Sequence, residues 1–567
     1  MAAAPLSFAQ ERLWFLNQVE GLSAAYNSAE VFRLSGPLDA DALEAAFRDV
    51  VARHEILRTV FPVVGGNPCQ HVLPPDRGRP VLERAELSEQ EAREAVAEAA
   101  ARDFDLTVDS PLRVWLFALA PQRHVLLVVL HHIAWDAWSA EPLWGDLARA
   151  YEARLAGTEP GWSPLPVQYG GYAVWQRALL GDADDPESMS ARELAYWRDQ
   201  LAGLPRDLSL PADRARPPVA SRVVGTVPLR LEPGLHGKLE ELARESEVTM
   251  YMVVHAAVAA LLTRLGAGTD LPVGTMVADR GDDALNDLVG FFVNVLVLRA
   301  DTAGDPSFRA LLARIRDTDL AAFAHRELPF GEIVHALKPE RSVDRNPLYQ
   351  VSIAFYEGLA NTLGLKDVVS RHESIDTDTG TLDLIFDLNA KRAESGGPGG
   401  VEGALAFAVD LFDPETATLI ARDLVLLLEA VTADPDAPIS RADLRFPADR
   451  IQAAAHRRAT GQAPTPPRAA TPSTADPREH SALAQTLRGL FAEVLKQTEI
   501  ADDDDFFLLG GHSLAATRLI SRIRSVLGVR LRIGEFFTEP TVAGVARRLG
   551  DASRPDPLPP ISRRARS

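Results

Sequence analysis

The apolar positions change period along the chain, and the change divides it. Short apolar runs of strand character, HVLLVVL at 124–130 and LPVGTMVA at 271–278, alternate with stretches whose apolar residues recur every three or four positions, DADALEAAFRDVVARHE at 39–55 and PGLHGKLEELARE at 233–245. The first kind predicts strands and the second amphipathic helices, so residues 1–448 read as mixed α/β. Irregular stretches at 178–193 and 211–222 interrupt the pattern and place a boundary between two lobes, 1–178 and 179–448. Residues 449–480 lack apolar periodicity and carry Pro464, Pro466, Pro467, Pro472 and Pro477 among Ala and Thr, which predicts a flexible linker. Beyond it, helical patterns at 481–495, 513–527 and 541–549 predict a small bundle over 481–551, and the Pro- and Arg-rich 552–567 reads as a disordered tail.

Composition narrows the class. Of 567 residues 46% are hydrophobic and 24% charged, a balance usual for soluble proteins, and no run reaches the ~18 apolar residues of a membrane span. The opening MAAAPLSFAQERLWF has no basic region followed by an apolar one, so nothing marks it for export and a cytoplasmic location is expected. A net charge of -20, with no stripe of Lys and Arg to reverse it locally, excludes nucleic acid as a partner. Cys69 is the single cysteine, which rules out an intrachain disulfide and a cysteine metal cluster.

Two places carry candidate chemistry. The run at 124–130 leads into His131, His132, Ile133, Ala134, Trp135, Asp136, Ala137, Trp138 and Ser139, with a helical pattern from near Glu141. Side chains alternate along an extended segment, so the adjacent histidines cannot aim at one point: one faces a cavity while the other packs. The pair is no chelate, and no further ligands stand at metal spacing. A neutral imidazole beside a cavity can take a proton from an amine or hydroxyl near neutral pH. Asp136 has two readings, orienting a histidine or pairing with an arginine to fix the loop. The second place is Ser513, which follows Gly510, Gly511 and His512 at the start of an amphipathic helix. Alone it reads as a helix cap, and no strand, carboxylate or histidine completes a nucleophile elbow around it.

The segment HHIAWDAWS (131–139) resembles the HHxxxDG motif of condensation domains of nonribosomal peptide synthetases. SFAQERLWFL (7–16), RHEILRTVF (53–61), YGGYAVWQ (169–176), VGTMVADR (273–280), VGFFVNVLVLR (289–299) and HRELPFGEIV (325–334) resemble further motifs of that family in the expected order. LGGHSL (509–514) is similar to the signature of the family's peptidyl carrier domains.

The resemblance implies a two-lobed fold like chloramphenicol acetyltransferase, a V with a tunnel between its lobes, followed by an all-α four-helix carrier domain. It implies an acyltransferase in which an acceptor amine attacks a donor thioester to give an amide. His132 would lie nearest the reaction, beside His131, and Asp136 would form a structural ion pair with Arg53. Ala137 stands where the family has glycine, and its methyl group at the tunnel would narrow access or help select a small acceptor. The carrier would hold 4'-phosphopantetheine on Ser513, attached by a phosphopantetheinyl transferase. An upstream peptidyl carrier domain would present the donor, and the opening motif resembles those of domains taking donors with an L-configured terminal residue. No adenylation domain lies between the two parts, so loading would fall to one acting in trans or in a parent synthetase. The competing readings are a non-catalytic platform that recruits tailoring enzymes, and an ester-forming or epimerising variant.

Overall fold

The computed structural model describes residues 4–18, 26–217, 220–278, 280–338, 346–358, 362–374, 380–393, 395–459 and 477–495, and, beyond these, 497, 500–506, 509, 513–527, 529, 531, 536 and 539–551. Two large sheets organise the part before residue 460. The first runs, edge to edge, Val369–Ser374, Asn27–Ser35, Arg123–His131, Leu112–Ala120 and Leu82–Glu86. Its central strand is buried without a break from Val125 to His131. Helices Ala40–Arg53 and Ala140–Leu155 share a core with it, and helix Glu89–Ala100 also packs against it. A strand covered on both faces is apolar continuously rather than alternately, which is why this one was so plain in the sequence.

The second sheet runs Val293–Asp301, Asp270–Ala278, Val351–Glu357, Leu384–Arg392, Pro398–Ala408 and Val224–Leu231. Helices Pro233–Glu245, Met250–Arg264, Phe308–Ala324 and Pro414–Ala433 pack on one face, meeting Leu384, Phe386, Leu388, Leu405 and Phe407. Helix Met250–Arg264 is apolar nearly all round because it lies inside this core. Among the described residues no single helix is long and apolar enough to cross a membrane.

Two expectations change. The lobes are not consecutive stretches of chain: strand Val369–Ser374 pairs antiparallel with Asn27–Ser35, and Leu285, Leu288, Val289 and Phe292 join the core of the first sheet. A cut at 178/179 therefore separates no folding unit. The expected linker is also shorter, because residues 448–459 form a helix, with Ile451 packed on the second core and Ala454 buried, and the next helix begins at Pro477. Hydrophobic residues three apart on an otherwise polar segment suffice for a docked helix, a pattern too sparse to stand out among Ala and Arg. Residues 460–476 and 552–567, also expected to be irregular, lie outside the described residues.

The carrier region contributes helices Pro477–Leu495, Ser513–Leu527 and Val542–Asp551. Leu487, Phe491, Phe506, Leu519, Ile523, Phe536 and Val545 form a separate core of their own.

Candidate active site

Strand Arg123–His131 delivers the two histidines. His131 is its last residue and is completely buried, with Nδ1 accepting a hydrogen bond from the Ile133 N–H. Burial, and then the neighbouring His132, push its pKa down to about 3, so it stays neutral. His131 is thus neutral and held by the backbone of its own turn.

His132 opens a short 3-10 turn, which throws its ring out of the strand's alternation. It is half-buried, and its Nδ1 lies 3.3 Å from the Trp135 carbonyl oxygen. A carbonyl only accepts, so Nδ1 carries the hydrogen and Nε2 the lone pair. Burial lowers the pKa of this imidazole, opposed by the Trp135 carbonyl, Asp136 and Glu30. The ring is therefore neutral at pH 7 and basic at Nε2. Its centroid lies 6.3 Å from that of Phe291. Phe291 in turn lines a cavity of about 70 Å³ between helix Phe8–Asn17, the stretch 291–295 and the turn around Pro329. One side chain thus connects the histidine to a cleft between the lobes.

Asp136 caps the turn Ala137–Ser139 and is almost fully buried. Oδ1 accepts from the Ser139 N–H and hydroxyl at 2.9 Å each, and Oδ2 from the Phe292 N–H at 2.8 Å. Its cation is Arg280, at 3.7 Å, not Arg53. Arg280 also donates to Ser139 Oγ and to the carbonyls of Leu285 and Leu288, and lies 4.3 Å over the Phe292 ring. Burial pushes the Asp136 carboxyl above its ordinary range, against the pull of Arg280 and the three donated hydrogen bonds. Arg53 ends helix Ala40–Arg53, which packs along helix Ala140–Leu155, so it meets Asp146 at 2.6 Å, shares it with His54 at 2.9 Å, and covers the Trp162 ring. Asp136 precedes that second helix and faces the opposite way, toward 290–292. Arg280 was within reach of sequence reasoning as the sole cation at the end of VGTMVADR, but nothing in linear order couples it to residue 136.

Ala137 is half-buried and is absent from the residues of positive φ, so its backbone asks for no glycine. Gly290 is different. It pairs with Ser139 Oγ, and a Cβ there would stand 2.2 Å from the Tyr169 ring, whose hydroxyl donates to the Phe291 carbonyl and bonds to Ser7 Oγ. Glycine at 290 lets the loop of the second lobe close over the histidine turn.

Ser513 is the first residue of helix Ser513–Leu527, while Gly510, Gly511 and His512 lie outside the described residues. Ala516, Leu519 and Ile523 fix that helix in the carrier core. The first N–H groups of a helix have no partner within it and favour a phosphodiester, so a serine at this point fits a phosphopantetheine arm. The same helix touches helix Phe8–Asn17 beside the cleft. Among the described residues no group of His, Cys, Asp and Glu could hold a metal ion.

Comparison with known proteins follows the same division. A family described as condensation domain matches residues 2–451, and one described as phosphopantetheine attachment site matches 485–549. The dimodular nonribosomal peptide synthase of Bacillus subtilis is 47% identical over 443 residues, 78% of this chain and 19% of that protein. The isonitrile lipopeptide synthase of Mycobacterium tuberculosis is 44% identical over 445 residues, 78% of this chain and 18% of that protein. The chain therefore spans less than a fifth of either relative's length. Among solved structures, the X-domain from teicoplanin biosynthesis is 38% identical with a TM-score of 0.71, covering 78% of this chain and 98% of its own. It has also been solved in complex with OxyB. The first condensation domain of the calcium-dependent antibiotic synthetase, 22% identical with a TM-score of 0.65 over 78% of this chain and 99% of its own, shares the fold.

Proposed function

The chain belongs to the condensation-domain family of nonribosomal peptide synthetases and carries a phosphopantetheine attachment domain behind it, and from that premise we propose that it forms an amide between two carrier-bound acyl groups. The observation that carries this reading is the fixed tautomer of His132, with Nδ1–H on the Trp135 carbonyl and the Nε2 lone pair free of any partner among the described residues, near the cleft wall. When attached, phosphopantetheine supplies a thiol that holds an acyl group as a thioester; Ser513 is its proposed anchor, and a phosphopantetheinyl transferase its source. The donor comes from an upstream carrier domain, and an adenylation domain elsewhere loads the acceptor.

Within that scheme His132 Nε2 orients the acceptor amine and takes its proton as the new C–N bond forms and the C–S bond breaks. An α-amino group has a pKa near 7.7–8.0, so a good share is already nucleophilic at neutral pH. General base help contributes about 10²–10⁴, whereas positioning can supply effective molarities of about 10⁵ M or more. Asp136 and Arg280 act on neither substrate; they hold the histidine turn against the loop 290–292. Loading the carrier with an aminoacyl group, adding a donor on an upstream carrier and weighing the products intact tests the reading: the carrier should gain the mass of the transferred acyl group.

A second reading rests on one observation, the 38% identity to an X-domain that has been solved with OxyB. In it the cleft is a platform for tailoring enzymes and transfers nothing. An unchanged carrier mass, together with stable capture of a tailoring oxygenase, would favour it.

A further inference from the structure

The second sheet presents one face to its helices and the other to the first lobe. Leu384, Phe386 and Leu388 point into the helical core, so Ile385 and Asp387 point the opposite way. That open face meets the histidine turn directly, since Tyr356, from the neighbouring strand, stands with its ring 5.8 Å from Trp138. Asp387 lies opposite Ala354 on one side and Ala404 on the other, two small residues that leave room around its carboxylate. One register step beyond the pair Thr275 and Ile353, Met276 flanks Ala354 and stays 42% exposed. Met276 pairs with Val295, which lines the inter-lobe cavity. A row of apolar side chains thus leads from that cavity across three strands, about 14 Å, to a carboxylate.

Asp387 is exposed and has no hydrogen bond or ion pair with any described residue. Desolvation pushes its carboxyl up to about 6, and burial first, then the charges of Asp387 and Asp136, raise the Tyr356 phenol. A carboxylate without a partner at the end of a row of apolar side chains suits an alkyl chain that ends in a cation.

We propose that Asp387 is a specificity residue, which accepts the ammonium or guanidinium group of a basic side chain on one of the two acyl substrates. Met276 and Ala354 lie along the aliphatic stem. This deepens the amide-forming reading and rests on it.

The test uses the full chain with phosphopantetheine attached, its carrier loaded with lysyl or norleucyl groups and challenged with N-acetyl-lysyl or N-acetyl-norleucyl thioesters of N-acetylcysteamine. In one position, donor or acceptor, lysyl should react about tenfold faster than norleucyl or better, the range of a charge-assisted contact. Asp387→Asn should abolish that preference, and Asp387→Lys should turn it toward 2-aminoadipyl. Which position responds identifies the source of the cation. An unchanged lysyl-to-norleucyl ratio in both positions of Asp387→Asn overturns the inference. If no pair yields product, amide formation fails as a reading and the same thioesters are titrated into the chain: lysyl binding weakened about tenfold by Asp387→Asn sustains the cation site, and equal binding overturns it.

Discussion

Histidine 132 and its neighbour differ in burial by one step of the chain, and their expected behaviour differs accordingly. His132→Ala should slow condensation by about 10²-fold or more while the carrier still loads normally, measured by intact mass at single turnover. Because burial lowers the pKa of His132, the neutral base persists below the ordinary imidazole value. The rate should therefore hold from pH 7.5 down to about 6.5 and fall only on the acid side, apart from the titration of the amine itself. His131 answers to stability instead. Its folded pKa of about 3 lies below its unfolded value, so the unfolded chain binds the extra proton between the two, and stability is full above about 6.5 and lost as pH falls. Each pH unit in that window should cost about 1.4 kcal/mol for this group, and His131→Asn should flatten the acid slope of the unfolding free energy from urea titration by that amount.

The coupling of Asp136 belongs to the elements that bring it to Arg280. Asp136→Ala and Arg280→Ala should each destabilise by about 3–5 kcal/mol, because each leaves a buried charge unpaired, and the double variant should cost much less than their sum. Asp136→Ala combined with Arg53→Ala should instead be additive, since Arg53 serves Asp146 and His54 on another helix pair. Urea denaturation of the five variants separates the two pairings. Gly290→Ala forces its methyl against Tyr169 and should cost about 1–3 kcal/mol, with a larger loss of rate, because the same loop carries Phe291 and Phe292. The strands and helices themselves were legible from periodicity: the runs at 124–130 and 271–278 became strands, and 39–55 and 233–245 became helices within a residue or two of their observed ends. What periodicity missed was the helix at 448–459, whose anchoring residues are few.

Taken whole, the first 459 residues are one unit in which late strands complete early sheets. A fragment of residues 1–178 lacks strand Val369–Ser374 and the core residues from 285–292, and it should be insoluble or unfolded by circular dichroism. A chain ending at residue 447 should fold but melt lower than one ending at 459, because Ile451 leaves the second core and about 1–3 kcal/mol of burial goes with it. The carrier, with a core of its own, should unfold as a separate transition in calorimetry.

Taken alone, the sequence determined the class of each element, the mixed fold followed by a small helical domain, and the two motifs around His132 and Ser513. These are local properties, set by the spacing of apolar side chains and by short runs of residues that fold next to one another. Tertiary structure decided everything that joins distant segments: the cation opposite Asp136, the burial that separates the two histidines, the crossing strand that ties the lobes, and the side of the second sheet on which Asp387 stands. Such pairings depend on the direction in which a helix end or strand face points once the sheets are packed, and spacing along the chain does not encode that direction.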